Sequence, residues 1–152
     1  MSETHDTAKL DDLIVTLIDS VKGYDNSAEK AESARYKGFF LEMAQDRRAA
    51  VTALQDASRA EGGTPAESGS AAGTLHRWFE DLRVALGSGD EAIIKEVERG
   101  EDYLKEEFER VLKDERMSPS AMAAVRAAYE SVRRGHDEAS DLKHRLEAEK
   151  AD

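Results

Sequence analysis

The chain has 152 residues, of which 39% are hydrophobic, 36% charged and only 6% aromatic, and its 22 Lys and Arg against 33 Asp and Glu give a formal net charge of −11. That length suits one domain with a real core, and the charge disfavours nucleic acid and anionic membrane surfaces as partners. Cysteine is absent, which excludes disulfides, a thiolate nucleophile and thiolate metal ligands.

The opening run MSETHDTAKLDD is polar and acidic. It lacks the basic start and apolar stretch of a signal peptide, so a cytoplasmic location is expected. From about Ala8 to about Ala31 the apolar residues Leu10, Leu13, Ile14, Leu17, Val21, Tyr24 and Ala28 recur at helical spacing. A second long helix is predicted from about Ala34 to Glu61 through Tyr36, Phe39, Phe40, Met43, Ala50, Val51 and Leu54, with Gly62-Gly63 ending it. The low-complexity turn GGTPAESGSAAG follows, then a short helix over 74–86 with Leu75, Trp78, Phe79, Leu82 and Leu86 on one face. Ser88 with Glu91 three residues on has capping-box spacing for a third long helix, placed at 90–113 through Ile93, Val97, Leu104, Phe108 and Val111. Ser118-Pro119 opens a fourth over 119–149 through Met122, Val125, Tyr129, Val132, Ala139 and Leu146. No strand pattern and no fixed-period repeat is present.

Connection lengths set the expected topology. Each pair of long helices is joined by a few residues, so each is an antiparallel hairpin. Roughly 26 residues join the hairpins, enough to travel the length of the bundle. The expected fold is all-α, a ferritin-like antiparallel four-helix bundle in a single domain over 1–152. The short crossover helix is expected to lie across the bundle surface or one end.

The apolar stripes are interrupted near their middles. The second helix runs Met43, Arg47, Ala50, Leu54; the third runs Val97, Gly100 and Glu101, Leu104; the fourth runs Val132, His136, Ala139. The first carries Tyr24 beside Gly23. A buried carboxylate needs partners, so Tyr24, Arg47, Glu101 and His136 are expected to form one polar layer at mid-bundle. Gly100 would let a neighbouring helix or a large side chain approach closely. The layer is read as an internal network that fixes register, as a metal or small-ligand site, or, if the stripes are misphased, as groups that reach solvent. The first reading is favoured.

The residues Gly23, Tyr24, Ala28 and Glu29, followed by GGTPAESGSAAGTLHRW and ERGED, resemble a widespread bacterial family of unknown function described as ferritin-like four-helix-bundle proteins. The resemblance runs from about Leu10 to Leu146. It implies the fold and an association with bacterial stress-related genes, and it brings no established reaction. Di-iron members of the ferritin-like fold use two Glu and two Glu-x-x-His pairs facing inward. Here the second helix has no histidine, Arg133 stands three before His136, and Arg47 adds a cation. A complete di-iron centre is therefore not expected, and a single iron or manganese held by Glu98 or Glu101 with His136 is the metal alternative.

His76, Arg77, Trp78 and Phe79 on the crossover helix form a candidate interaction surface. His5 and His144 are expected in solvent. No phosphate loop, nucleophile elbow or Ser–His–Asp arrangement occurs. Two functions follow: a non-enzymatic accessory or interaction protein that self-associates, with a homodimer expected and no cofactor, or an iron- or manganese-binding protein with redox or storage activity.

Overall fold

The computed structural model describes residues 4–70 and 74–151, the side chains of 74–76 and 151 excepted. Among these residues there are helices α1 (His5–Lys30), α2 (Ala34–Ala60), α3 (Thr74–Ala85), α4 (Asp90–Leu112) and α5 (Pro119–Ala151), and no strand. None of them is long and apolar enough to cross a membrane.

Each helix end has a local cause. α1 begins earlier than its apolar spacing indicates because Thr4 and Thr7 form a reciprocal capping box, with Thr7 N donating to Thr4 Oγ1 at 3.1 Å and Thr4 N to Thr7 Oγ1 at 2.8 Å. α2 ends in a Schellman turn: Gly62, at φ 85, donates to Arg59 O and Gly63 donates to Ser58 O. The α4 start differs from the sequence reading. Gly89, at φ 102, is its N-cap, and Ser88 turns back to donate to Val84 O at 3.1 Å. The capping box expected from Ser88 and Glu91 does not form, because the turn after α3 claims the hydroxyl. At α5, Ala121 N donates to Ser118 Oγ at 3.2 Å, and Pro119 occupies the first helical position.

α1 and α2 form one hairpin and α4 and α5 the other; α2 packs on α5, while α1 and α4 meet directly over only a small area. The second half of the crossover fills that seam, while the first half is tied to α1 and α2. In its first half Pro65 is buried, and Asp11 Oδ1 accepts from Ala66 N at 2.7 Å. Asp19 accepts from Ser70 N at 2.9 Å and from Ser70 Oγ at 2.6 Å. In its second half α3 lies between α1 and α4 and drives Trp78, Leu82 and Ala85 into the core.

The crossover helix thus packs Trp78 and Phe79 against the bundle, in the α1–α4 seam. Trp78 is 2% exposed, sits edge-on to Tyr24, and donates from Nε1 to Glu96 O. A Cβ at Gly100 would overlap the Trp78 indole, and one at Gly23 would overlap the Phe79 ring. Glycine stands on the core face of α4 because an indole occupies the space a side chain would need. His5 is likewise not left in solvent: it bonds Asp114 at 2.6 Å and Arg116 at 3.1 Å, tying the start of α1 to the α4–α5 turn.

The hydrophobic interior falls into two clusters. One holds Tyr24, Phe39, Phe40, Trp78, Val97 and Leu142. The other holds Leu13, Leu17, Leu54, Phe108, Val125 and Val132. Removing the largest buried side chain of the crossover should be costly. Trp78→Ala is expected to lower stability by about 3–5 kcal/mol in urea denaturation, and a loss below about 1 kcal/mol would show that α3 does not hold the seam.

Candidate functional site

Between the two apolar clusters lies a polar layer. On α1, the stripe Leu17–Tyr24 passes through Ser20; on α2, Met43–Ala50 passes through Arg47; on α4, Val97–Leu104 passes through Glu101. Arg47 is 0% exposed and Glu101 1%, so neither charge has recourse to solvent. The guanidinium meets the carboxylate as a fork: Nη2 bonds Oε1, and Nη1 bonds Oε2 at 3.0 Å. Arg47 Nη1 also donates to Ser20 Oγ at 3.0 Å, and the Tyr24 hydroxyl donates to Glu101 Oε2 at 2.6 Å. The fork matches the planar geometry that makes arginine–carboxylate pairs the strongest of their kind. Among the described residues only Arg47 Nε in this layer is without a partner.

The fourth wall is Gly135 on α5. A Cβ there would overlap Arg47 Nη2 and press on Glu101 Oε1 at 2.8 Å. Gly135 went unrecognised in the sequence, although a glycine inside a long helix costs about 1 kcal/mol against alanine and so signals a packing reason. Ser20, a small polar residue between Leu17 and Tyr24, was missed as well.

Burial pushes the Tyr24 phenol well above its ordinary value, and the Glu101 carboxylate beside it pushes the same way, against an opposing pull from Arg47. Burial alone would lower the Arg47 guanidinium, but the charge of Glu101 and its hydrogen bond outweigh that and raise it. Arg47 is therefore held as a cation and Tyr24 as a neutral phenol.

Of the residues expected in the layer or as ligands of a metal there, the structure brings together Tyr24, Arg47 and Glu101 and leaves out Glu98 and His136. His136 is on the outer surface with Asp102 at 3.0 Å, and Glu98 pairs there with Lys143 at 3.5 Å. The reason is helical phase: α5 turns inward at Val132, Gly135, Ala139, Leu142 and Leu146, so the residue three after Val132 faces the core and the one four after it does not. The proposed ligands Glu98, Glu101 and His136 do not converge, and among the described residues no group of three His, Cys, Asp or Glu is placed to hold a metal ion. On α3, Arg77 is exposed, Phe79 is half-buried against Gly23, and Trp78 is interior. An interaction surface built on Trp78 is thereby corrected. The His76 side chain lies outside the described residues.

Residues 6–114, from the start of α1 through the end of α4, match a family model described as Domain of unknown function (DUF2383). The chain belongs to that family. No curated protein matches this DUF2383 chain.

Removing one partner of the buried pair should strand the other. Arg47→Ala is expected to destabilise this DUF2383 protein by about 3–5 kcal/mol in chemical denaturation, whereas replacing both charges by apolar residues of similar volume should recover most of that loss. The phenol adds a pH signature. Tyr24 titrates higher folded than its unfolded value of about 10, so the unfolded chain binds fewer protons in alkali and stability falls as pH rises above that value. Tyr24→Phe should flatten part of this decline, and Tyr36 and Tyr129, also raised, should retain the rest. Identical alkaline slopes for wild type and Tyr24→Phe would contradict the buried phenol.

Proposed function

We propose that this protein is a non-catalytic helical accessory protein of ferritin-like connectivity, which acts through contacts made by its surface. The observation that carries this reading is the burial of Glu101 in a bidentate pair with Arg47. Both carboxylate oxygens are engaged by Arg47, one of them by Tyr24 as well, and the layer is closed to solvent. A carboxylate so held is neutralised by its guanidinium and shut away from solvent, so it is not presented to a ligand or substrate. Its role is to fix the relative height of the helices. The resemblance to bacterial proteins associated with stress-related genes supports a cytoplasmic, stress-linked setting.

Two hairpins joined by a long crossover also support the ferritin-like form of the bundle. The iron or manganese that such a bundle would imply does not fit the residues present. To bind at mid-bundle a metal would have to take Glu101 from Arg47, stranding a buried guanidinium beside a second cation. The other proposed donors, Glu98 and His136, lie on the outer surface of α4 and α5, whereas Glu101 is buried.

Elemental analysis of untagged protein, produced with iron and manganese supplied, tests the reading. The expected result is far less than one metal per chain, with no thermal stabilisation on adding either ion. Near-stoichiometric metal that Glu101→Gln or His136→Ala removes would overturn it in favour of a metal-binding protein.

A further inference from the structure

A chain of net charge −11 repels its own copies, so a surface that is locally neutral and matched in charge favours self-association over the rest of the molecule. The outer face of α4 has this property. Glu91, Lys95, Arg99, Asp102, Glu106 and Arg110 are all exposed and follow one another by three or four residues, which places them in a single stripe along the helix. Three are acids and three are bases. Their order is self-complementary: Glu91 and Arg110, Lys95 and Glu106, and Arg99 and Asp102 lie equally far from the point between Gly100 and Glu101. A second α4 laid antiparallel, related by a two-fold axis at that point, sets every acid of the stripe opposite a base. The outer face of α5 lacks this order. The register that sets Arg133 against Glu138 there also sets Arg126 against Arg145 and Glu130 against Asp141.

We propose that α4 is a self-docking surface through which two copies of this chain associate antiparallel as a symmetric dimer. The proposal rests on the reading of the protein as one that acts through its surface, and it names the partner as a second copy. An isologous contact of this kind requires one patch to complement itself, which is what the stripe does. α4 is flanked by two grooves, one against α5 of about 580 Å³ whose lining includes Ile94 and Leu146, and one against α3 of about 420 Å³ lined in part by Trp78, Gly100 and Tyr103, so its charged stripe stands clear of its neighbours.

Several stripe residues have partners within the chain. Arg99 meets Asp81 at 2.6 Å, Arg110 meets Glu107 at 3.3 Å, Glu91 meets Lys150 at 3.4 Å, and Asp102 meets His136 at 3.0 Å. Exposed pairs of this type are weak and exchange partners readily. Lys95 and Glu106 have no ion-pair partner among the described residues. They stand about 16 Å apart along the helix axis, too far to pair with each other within one chain, so a Lys95–Glu106 contact can form only between chains.

The test is sedimentation equilibrium on full-length wild type, Lys95→Glu, Glu106→Lys, the double variant, and an equimolar mixture of the two single variants. Circular dichroism confirms that each is folded. Wild type is expected to dimerise. Each single variant should weaken the dimer about tenfold or more, because it sets like charges opposite each other twice per dimer. The double variant should regain wild-type affinity, and so should the mixture. There the carboxylate introduced by Lys95→Glu in one chain faces the ammonium introduced by Glu106→Lys in the other, while the unaltered Glu106 of the first chain faces the unaltered Lys95 of the second. General charge repulsion would move the two single variants in opposite directions, since one makes the chain more acidic and the other less. A wild type that stays monomeric up to about 1 mM overturns the proposal. So does a dimer that both single variants leave intact, which would place self-association on another face. Neither outcome bears on the metal content of the bundle interior, so failure here is distinguishable from failure of the functional reading.

Discussion

The buried pair Arg47–Glu101 is the constraint on which the rest of the bundle depends. Bringing two charges out of water costs several kcal/mol for each ion, and their attraction offsets that only if geometry and hydrogen bonding are good. Here the fork is bidentate, Ser20 accepts a further hydrogen bond from the guanidinium, and Tyr24 supplies a donor to the carboxylate. These groups come from α1, α2 and α4, and α5 contributes Gly135 as the wall against which the fork lies. Sliding α2 or α4 by one turn, about 5.4 Å, would leave a charge unpaired, and sliding α1 would remove the Ser20 and Tyr24 hydrogen bonds. An apolar core tolerates slippage between near-equivalent packings; a single ion pair in that core does not. The layer therefore works chiefly as a register device, and its net contribution to stability is modest beside that of the apolar clusters on either side.

The crossover answers a second geometric problem. With α1 and α4 in only slight direct contact, the aromatic half of the core would be open along one seam. Trp78 closes it, and its fit depends on two departures from good helix sequence. Gly100 removes a side chain from α4 to admit the indole, and Gly23 removes one from α1 to admit Phe79. Both glycines lie within a turn of a member of the polar layer, Gly23 next to Tyr24 and Gly100 next to Glu101. Trp78 also packs edge-on against Tyr24. The seam and the layer are consequently one packing unit, in which a shift of α3 would disturb the donor to Glu101.

The helices and their hairpin pairing were legible in the sequence because apolar residues at helical spacing and strong terminal signals agree with one another. The layer was legible where a charge interrupts an apolar run, as Arg47 and Glu101 do, since a buried charge on one helix demands its complement on another. It was not legible where two adjacent residues compete for one inward position. His136 and Gly135 differ by about 100° around α5, and a stripe alternating three and four residues admits either. The tie is broken by volume, since the space over the fork holds no side chain at all, and volume is a tertiary property. The same holds for Trp78. An amphipathic short helix can lie on a surface or in a seam, and only the shortfall in direct α1–α4 packing decides between them. Ser88 shows the local version: its hydroxyl serves the end of the preceding turn, a competition that spacing to Glu91 does not register.

The interior and the surface meet on α4. Its inner face is pinned at Glu101, and the charged stripe on its outer face is centred at the same height, between Gly100 and Glu101. A helix free to rotate or slide would smear a pattern that depends on spacings of three and four residues. One held by a buried bidentate pair presents its charges at fixed positions. A buried ion pair adds little net stability compared with a well-packed apolar substitute, so its usefulness in this fold is positional. It holds α4 as a rigid ruler whose outer marks can be matched by an identical ruler running the other way.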